Sequence, residues 1–170
     1  MPRTGPDNPP ATPRLPRRMI RVAIVVSRYN NEITDRLRDG AIEELTRRCA
    51  ELGRADIVPA PGAFELPYLA SVAARSGRFD AVVALGCIVK GETIHDRVLA
   101  DAVTQELSRL AVDSGLPVGL GVLTVESPEQ ARARAGGSLG NKGAEAMAAA
   151  LDCIAAAARI GHSGRRRSRI

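Results

Sequence analysis

The stretch Ala84-Leu-Gly-Cys-Ile-Val-Lys-Gly-Glu-Thr-Ile-His95 decides how the rest of the chain is read. Its first half closes the run Asp80-Ala-Val-Val-Ala-Leu-Gly-Cys-Ile-Val89, which is apolar at nearly every position, as a parallel strand covered on both faces requires. Its second half turns through Lys90, Gly91, Glu92 and Thr93 and enters a helix with His95 in the first turn. In an open α/β sheet, ligands sit beyond the carboxyl ends of the strands. A helix that starts there offers unpaired N–H groups and the positive end of its dipole to an anion. Gly91 lets a ligand come close to the backbone, and histidine exchanges protons near neutral pH. The stretch predicts a phosphate or carboxylate site with a proton-transfer group beside it. An ordinary strand–turn–helix with a surface histidine would spell the same residues, so the neighbouring segments have to decide.

On the amino-terminal side, Ile20-Arg-Val-Ala-Ile-Val-Val26 reads as the first strand, and Ser27-Arg28-Tyr29-Asn30 puts an aromatic at its carboxyl end. Ile33, Leu37, Ala41, Leu45, Cys49 and Leu52 follow at near-helical spacing, with Gly53 as a stop. A short second strand around residues 55–60 contains Pro59 and is followed by Pro61, which predicts an edge position. Pro61-Gly-Ala-Phe-Glu-Leu-Pro67 is a turn opening a helix, with Phe64 and Glu65 at its start. A carboxylate there ordinarily only compensates the helix dipole, but this one falls at the same end of the sheet as Tyr29 and His95.

On the carboxyl-terminal side, Val98, Leu99, Ala102, Val103, Leu107 and Leu110 mark a long helix ended by Gly115 and Pro117. Residues 116–124 are the fourth strand, with Gly119, Leu120 and Gly121 inside it. Ser127-Pro-Glu-Gln130 is a capping box opening a short helix that carries Arg132 and Arg134 and stops at Gly136 and Gly137. The last helix is expected from about Asn141 to Ile160, with Met147, Leu151, Ile154 and Ala158 as its apolar stripe. The order β-α-β-α-β-α-β-α, with short right-handed connections, predicts an α/β fold. This is a flavodoxin-like three-layer α/β/α sandwich with a four-stranded parallel sheet.

Composition narrows the possible classes. The chain has 170 residues, enough for one domain with a full core, and aromatics are only 2%, so that core must be aliphatic. The net charge of +5 owes much to Arg3, Arg14, Arg17 and Arg18 at one end and Arg165, Arg166, Arg167 and Arg169 at the other. Residues 1–18 read as a disordered Pro- and Arg-rich arm, 19–160 as the domain and 161–170 as a basic tail. Basic ends without interleaved aromatics or a reader motif argue against a nucleic-acid partner. Cys49, Cys87 and Cys153 lie far apart in apolar contexts and are expected to be buried reduced thiols. No segment has the length of a membrane span or the form of a secretory signal, which predicts a cytoplasmic protein without membrane contact. No metal-ligand spacing, Walker loop, nucleophile elbow or dinucleotide fingerprint is present, and no cofactor enters the reading.

Several motifs in a fixed order make the chain, over about Arg21 to Ile160, similar to the lumazine synthase family. They are Arg28-Tyr-Asn30 followed by Gly40-Ala41, then Pro61 to Pro67, then Leu85 to His95, then Gly121-Val-Leu-Thr124, Glu129-Gln-Ala131, Arg134-Ala-Gly136 and Asn141-Lys-Gly143. The resemblance implies condensation of 5-amino-6-(D-ribitylamino)uracil with 3,4-dihydroxy-2-butanone 4-phosphate in riboflavin biosynthesis. It implies that Tyr29 stands for the aromatic that stacks on the pyrimidine, and that Asn30, Ala63, Phe64 and Glu65 surround the pyrimidine and ribityl chain. Cys87, Ile88 and Val89 would meet the heterocycle through their backbone. Gly91, Glu92 and Thr93 would hold the phosphate with Arg134, Lys142 would lie near the ring, and His95 would transfer protons. Leu120 stands where many relatives carry Phe, Ala133 where Glu is frequent, and Ser138 where Lys sometimes occurs, which bears on affinity more than on activity. The resemblance further implies a homopentamer with sites between neighbouring subunits. A short link of Gly137-Ser-Leu-Gly140 is shared with members that form shells of roughly 60 subunits, whereas the Pro-rich arm would oppose closure. Riboflavin synthase is then a candidate partner. Two competing readings are a homologue that holds a lumazine or flavin without turning it over, and a basic protein held to nucleic acid by its ends. A passive binder would have no use for a phosphate clamp, and the last reading requires steep salt dependence.

Overall fold

The computed structural model describes residues 14–161. Four parallel strands form the sheet: β1 (Ile20–Ser27), β2 (Gly53–Ala60), β3 (Ala81–Val89) and β4 (Val118–Val125), in the order β2-β1-β3-β4. The helices are α1 (Asn31–Cys49), α2 (Leu66–Arg75), α3 (His95–Ser114), α4 (Pro128–Arg134) and α5 (Lys142–Arg159). A two-stranded antiparallel hairpin, β5 (Ala135–Gly137) with β6 (Gly140–Asn141), joins α4 to α5.

The strand pattern explains the layers. Val22, Ile24 and Val26 of β1 and Val83, Leu85 and Cys87 of β3 share one buried cluster with Leu37 and Leu45 of α1 and Met147, Leu151 and Ile154 of α5. The alternate residues Ala23 and Val25, with Val82, Ala84 and Ile88, face Leu66 and Ala70 of α2 and Val103 and Leu107 of α3. The apolar runs are thus two interleaved faces of period two, each covered by a helix layer. This is the expected flavodoxin-like sandwich.

Several local expectations hold to within a residue or two. β2 is an edge strand, with Pro59 opposite Val26. Ser127 caps α4 by accepting the Gln130 N–H, while Gln130 Oε1 reaches back to the Glu126 N–H at 3.0 Å. Gly119 and Gly121 lie inside β4, where an added Cβ would collide with the Ala146 carbonyl of α5 and with Leu85. Two expectations are corrected. The hairpin between α4 and α5 was not anticipated, because two- and three-residue strands leave no periodicity to read. Cys153 is exposed, since Met147, Leu151 and Ile154 occupy the inward face of α5 and Cys153 falls outside it, whereas Cys49 and Cys87 are buried as expected. Burial pushes the Cys87 thiol up to about 11 and raises that of Cys49 as well.

Residues 1–13 of the expected arm, and 162–170 of the tail, lie outside the described residues. Residues 14–18 lie against the domain: Leu15 packs on the core, and Arg18 Nη1 is 2.8 Å from the buried Asp80 carboxylate, which also accepts the Arg21 N–H.

Candidate active site at the carboxyl ends of the strands

The strand order reverses at β1, whose neighbours are β2 on one side and β3 on the other. Connections leaving β1 and β3 therefore diverge to opposite faces of the sheet and open a crevice between the strand ends. A cavity of about 530 Å3 occupies this place.

Three segments build it. After β1 the chain turns sharply: Arg28 N–H bonds the Ala60 carbonyl, and Tyr29 N–H bonds Ser27 Oγ at 3.2 Å. Asn30 adopts a left-handed conformation (φ 58°), which asparagine tolerates better than most residues. Its carbonyl accepts the first N–H groups of α1, from Ile33 and Thr34, and its Nδ2 donates to the Cys87 carbonyl at 2.9 Å. Asn30 therefore does not cap α1 with its side chain, although it is an Asn at a helix start. It ties the end of β1 to the end of β3 instead. The second segment is the turn after β2, where Gly62, Ala63, Phe64 and Glu65 line the cavity before α2 begins. Tyr29 and Phe64 stand 71% and 70% exposed, which places two of the chain's four aromatic rings at the rim. The third is the end of β3 and the start of α3, contributing Cys87, Ile88, Val89, Gly91, Thr93 and His95. Ile94 precedes α3 without a side-chain cap, and only a long contact from Thr93 Oγ1, 3.4 Å, meets the His95 N–H. The Arg97 and Val98 N–H groups bond the Ile94 carbonyl at 3.1 Å and 3.2 Å, which leaves the Asp96 N–H and the loosely held His95 N–H for an acceptor.

The cavity thus gathers eleven of the expected residues: Tyr29, Asn30, Ala63 to Glu65, Cys87 to Val89, Gly91, Thr93 and His95. It does not gather Glu92, Leu120, Arg134 or Lys142. Arg134 and Lys142 both hold Glu145 on the first turn of α5, at 2.9 Å and 3.2 Å, and Arg134 also donates to the Leu139 carbonyl. Burial alone would raise the Glu145 carboxyl, but the two cations hold it below its ordinary range. Arg132, expected beside Arg134, turns to Glu32 at 3.1 Å. Leu120 is 37% exposed on the edge strand β4. Among the described residues the cavity wall carries Glu65 and Asp96 and no lysine or arginine beside its helix start.

The family model for 6,7-dimethyl-8-ribityllumazine synthase matches residues 19–158. A protein of that name from Nitratidesulfovibrio vulgaris (strain DSM 19637 / Miyazaki F) is 44% identical over 135 residues, covering 79% of this chain and 86% of the relative. One from Yersinia pestis (strain Pestoides F) is 48% identical over 136 residues, covering 79% and 86%. The chain belongs to the lumazine synthase family. Within this lumazine synthase fold, three lining residues escaped the sequence reading: Gly62, Asp96 and Leu99. Gly62 lies in a motif already singled out, and Asp96 adjoins His95. Leu99 is one helical turn past His95 and so shares its face, a signal that was present in the spacing. Among the described residues, no helix is long and apolar enough to cross a membrane.

Proposed function

We propose that the chain catalyses the condensation of 5-amino-6-(D-ribitylamino)uracil with 3,4-dihydroxy-2-butanone 4-phosphate, releasing phosphate and water. The observation that carries this reading is the meeting, in one cavity at the strand-order reversal, of exposed aromatic faces, an uncapped helix start and His95. The aromatic faces suit the flat pyrimidine, and the helix start suits a phosphate dianion. The uracil's primary amine attacks the ketone and water leaves as the imine forms. A carbon-bound proton is then lost, phosphate departs, the enol left behind becomes a ketone, and the second amine closes the ring on that ketone with loss of a second water. Each proton movement needs a nearby exchanger, which is the role assigned to His95. Holding two substrates in register supplies much of the acceleration, so a site with few chemical groups suffices. Mixing purified protein with both substrates should form the lumazine chromophore faster than the spontaneous reaction; a rate equal to the spontaneous one would reject the proposal.

The missing cation supports a shared site. Arg134 and Lys142 sit together beside Glu145, outside a cavity that has no cation of its own. A head-to-tail ring can bring the Arg134 edge of one copy to the His95 cavity of the next. A ring of five is the size that the resemblance implies. Leu120, exposed on the edge strand, would then close the neighbour's cavity, and Glu92 and Thr93 would offer backbone amides to the phosphate.

Two substitutions test the roles within the cavity. We expect His95→Ala to lower kcat by roughly tenfold to a hundredfold, at or below the low end for general acid–base catalysis because orientation survives. An unchanged kcat would remove His95 from proton transfer. Tyr29→Phe should leave affinity for the ribitylaminouracil nearly intact, while Tyr29→Ala should weaken it by about 1–3 kcal/mol, on the scale of base–aromatic stacking. Equal losses from both would assign the role to the hydroxyl.

A further inference from the structure

A second cavity, of about 690 Å3, lies at the amino end of β1, the opposite end from the His95 cavity. Residues 14–18, the start of β1 and the last turn of α1 enclose it. Its wall carries five guanidinium groups, from Arg14, Arg17, Arg18, Arg47 and Arg48, and no carboxylate. Three of these already have counter-ions: Arg18 holds Asp80 at 2.8 Å, Arg47 holds Glu44 at 2.7 Å, and Arg48 is 2.8 Å from Asp152. Arg47 and Arg48 also stand in the last turn of α1, where they offset the negative end of its dipole. Arg14 and Arg17, both exposed, make no hydrogen bond or ion pair with any described residue. Arg48, with only 6% of its side chain exposed, turns inward to the Ala148 carbonyl and Asp152, and this ion pair leaves both its own Nη2 and Asp152 Oδ1 buried without a hydrogen bond.

Two uncompensated cations, Arg14 and Arg17, therefore border this space beside three arginines that are already paired. Like charges gather in this way at a cost unless an anion joins them. Guanidinium groups favour acceptors that take several parallel hydrogen bonds, which phosphate does. Between the arginines the wall is apolar, formed by Leu15, Pro16, Ile20 and Leu52, and the volume lies within the usual range for small-molecule sites. We infer that this cavity binds a phosphate-bearing small anion, of diphosphate or nucleotide size, separately from the His95 site. The unpaired charge of Arg14 and Arg17 matches a dianion, and the apolar wall offers a surface for a base if the phosphate is carried by a nucleotide.

Calorimetric titration with inorganic pyrophosphate and with ATP tests this. The titrated proteins are Arg134→Ala, which removes the proposed phosphate partner of the other site, and the same protein with Arg14→Ala and Arg17→Ala added. One probe should bind per chain in the first, with affinity at least about tenfold weaker in the second, the scale of hydrogen bonds to charged groups. Tighter binding of ATP than of pyrophosphate would assign the ligand as a nucleotide, and equal affinity would assign it as the diphosphate alone. Because Arg14 and Arg17 are exposed and bond to nothing described, removing them leaves the fold in place, which an unchanged Tm verifies. In the chain with Arg134 intact, the Arg14/Arg17 double variant should lose this site and still form lumazine, so the two sites can fail independently. Equal affinity with and without the two arginines would overturn the assignment. So would binding of an oligothymidylate together with failure of both small probes.

Discussion

Arg134→Ala should raise the apparent KM for the butanone phosphate far more than that for the ribitylaminouracil. The expected loss in kcat/KM corresponds to about 2–4 kcal/mol, the usual result of removing a desolvated guanidinium from an anion. Arg134 is already held in place by Glu145 at 2.9 Å, so its guanidinium is oriented before substrate arrives and little is lost in ordering it. Where that guanidinium acts is a separate question, and mixing separates the two. His95→Ala subunits have an impaired cavity and a good arginine; Arg134→Ala subunits have the reverse. If one chain supplied both groups, no mixture could contain an intact site. In a head-to-tail ring reassembled from equal amounts, half the cavities retain His95 and half of those meet a neighbour with Arg134, so about a quarter of full activity should return. Activity no higher than the sum of the separate variants would place both groups in one chain and remove the shared site. A KM for the phosphate substrate unchanged in Arg134→Ala would remove Arg134 altogether.

The same physics explains which features could be read from the sequence. β1 and β3 are apolar on both faces because both faces are covered, and Pro59 marks an edge because it cannot donate to a ladder; these signals are local. The cavity residues were legible for a related reason. They lie in the turns directly after β1, β2 and β3, and parallel strands bring those turns to one end. What stayed hidden depends on distant or very short pairings. Asn30 resembles a cap, but its amide crosses to Cys87, 57 residues away. Arg18 finds Asp80 over a separation of 62 residues, which draws the chain from Leu15 onward against the domain. The β5–β6 hairpin turns on Gly136 and Gly140 at φ 90° and 79°, too short a device for any periodicity. The directions taken by Arg132 and Arg134 could not be read either, since both fall on one short helix and only the positions of Glu32 and Glu145 separate them.

Replacing Gly143 should cost the fold more than any other single change considered. It lies in the first turn of α5, where an added Cβ would overlap the Leu37 carbonyl oxygen of α1 and come within 2.6 Å of its carbon. Backbone cannot swing aside as a side chain can, so the helices must separate. The contact is locked by Asn141, whose Oδ1 accepts the N–H groups of Gly143 and Ala144 while its Nδ2 donates to the Arg36 carbonyl at 2.8 Å. Gly40 of α1 leaves room for that amide, and a Cβ at Gly40 would strike it. Gly143→Val should therefore destabilise by about 3 kcal/mol or more, at the upper end for overpacking. For a chain of this length that is a fall in Tm of roughly 6–12 °C. A Tm within about 2 °C of the parent would show that the two helices part without cost. The effect should also reach the site, because Lys142 and Glu145 flank Gly143 on the same turn and Glu145 holds Arg134. Below its Tm, the variant should lose affinity for the phosphate substrate while kcat, which the proposal assigns to the His95 cavity, changes little. A loss confined to kcat would break the proposed link between the α1–α5 contact and Arg134.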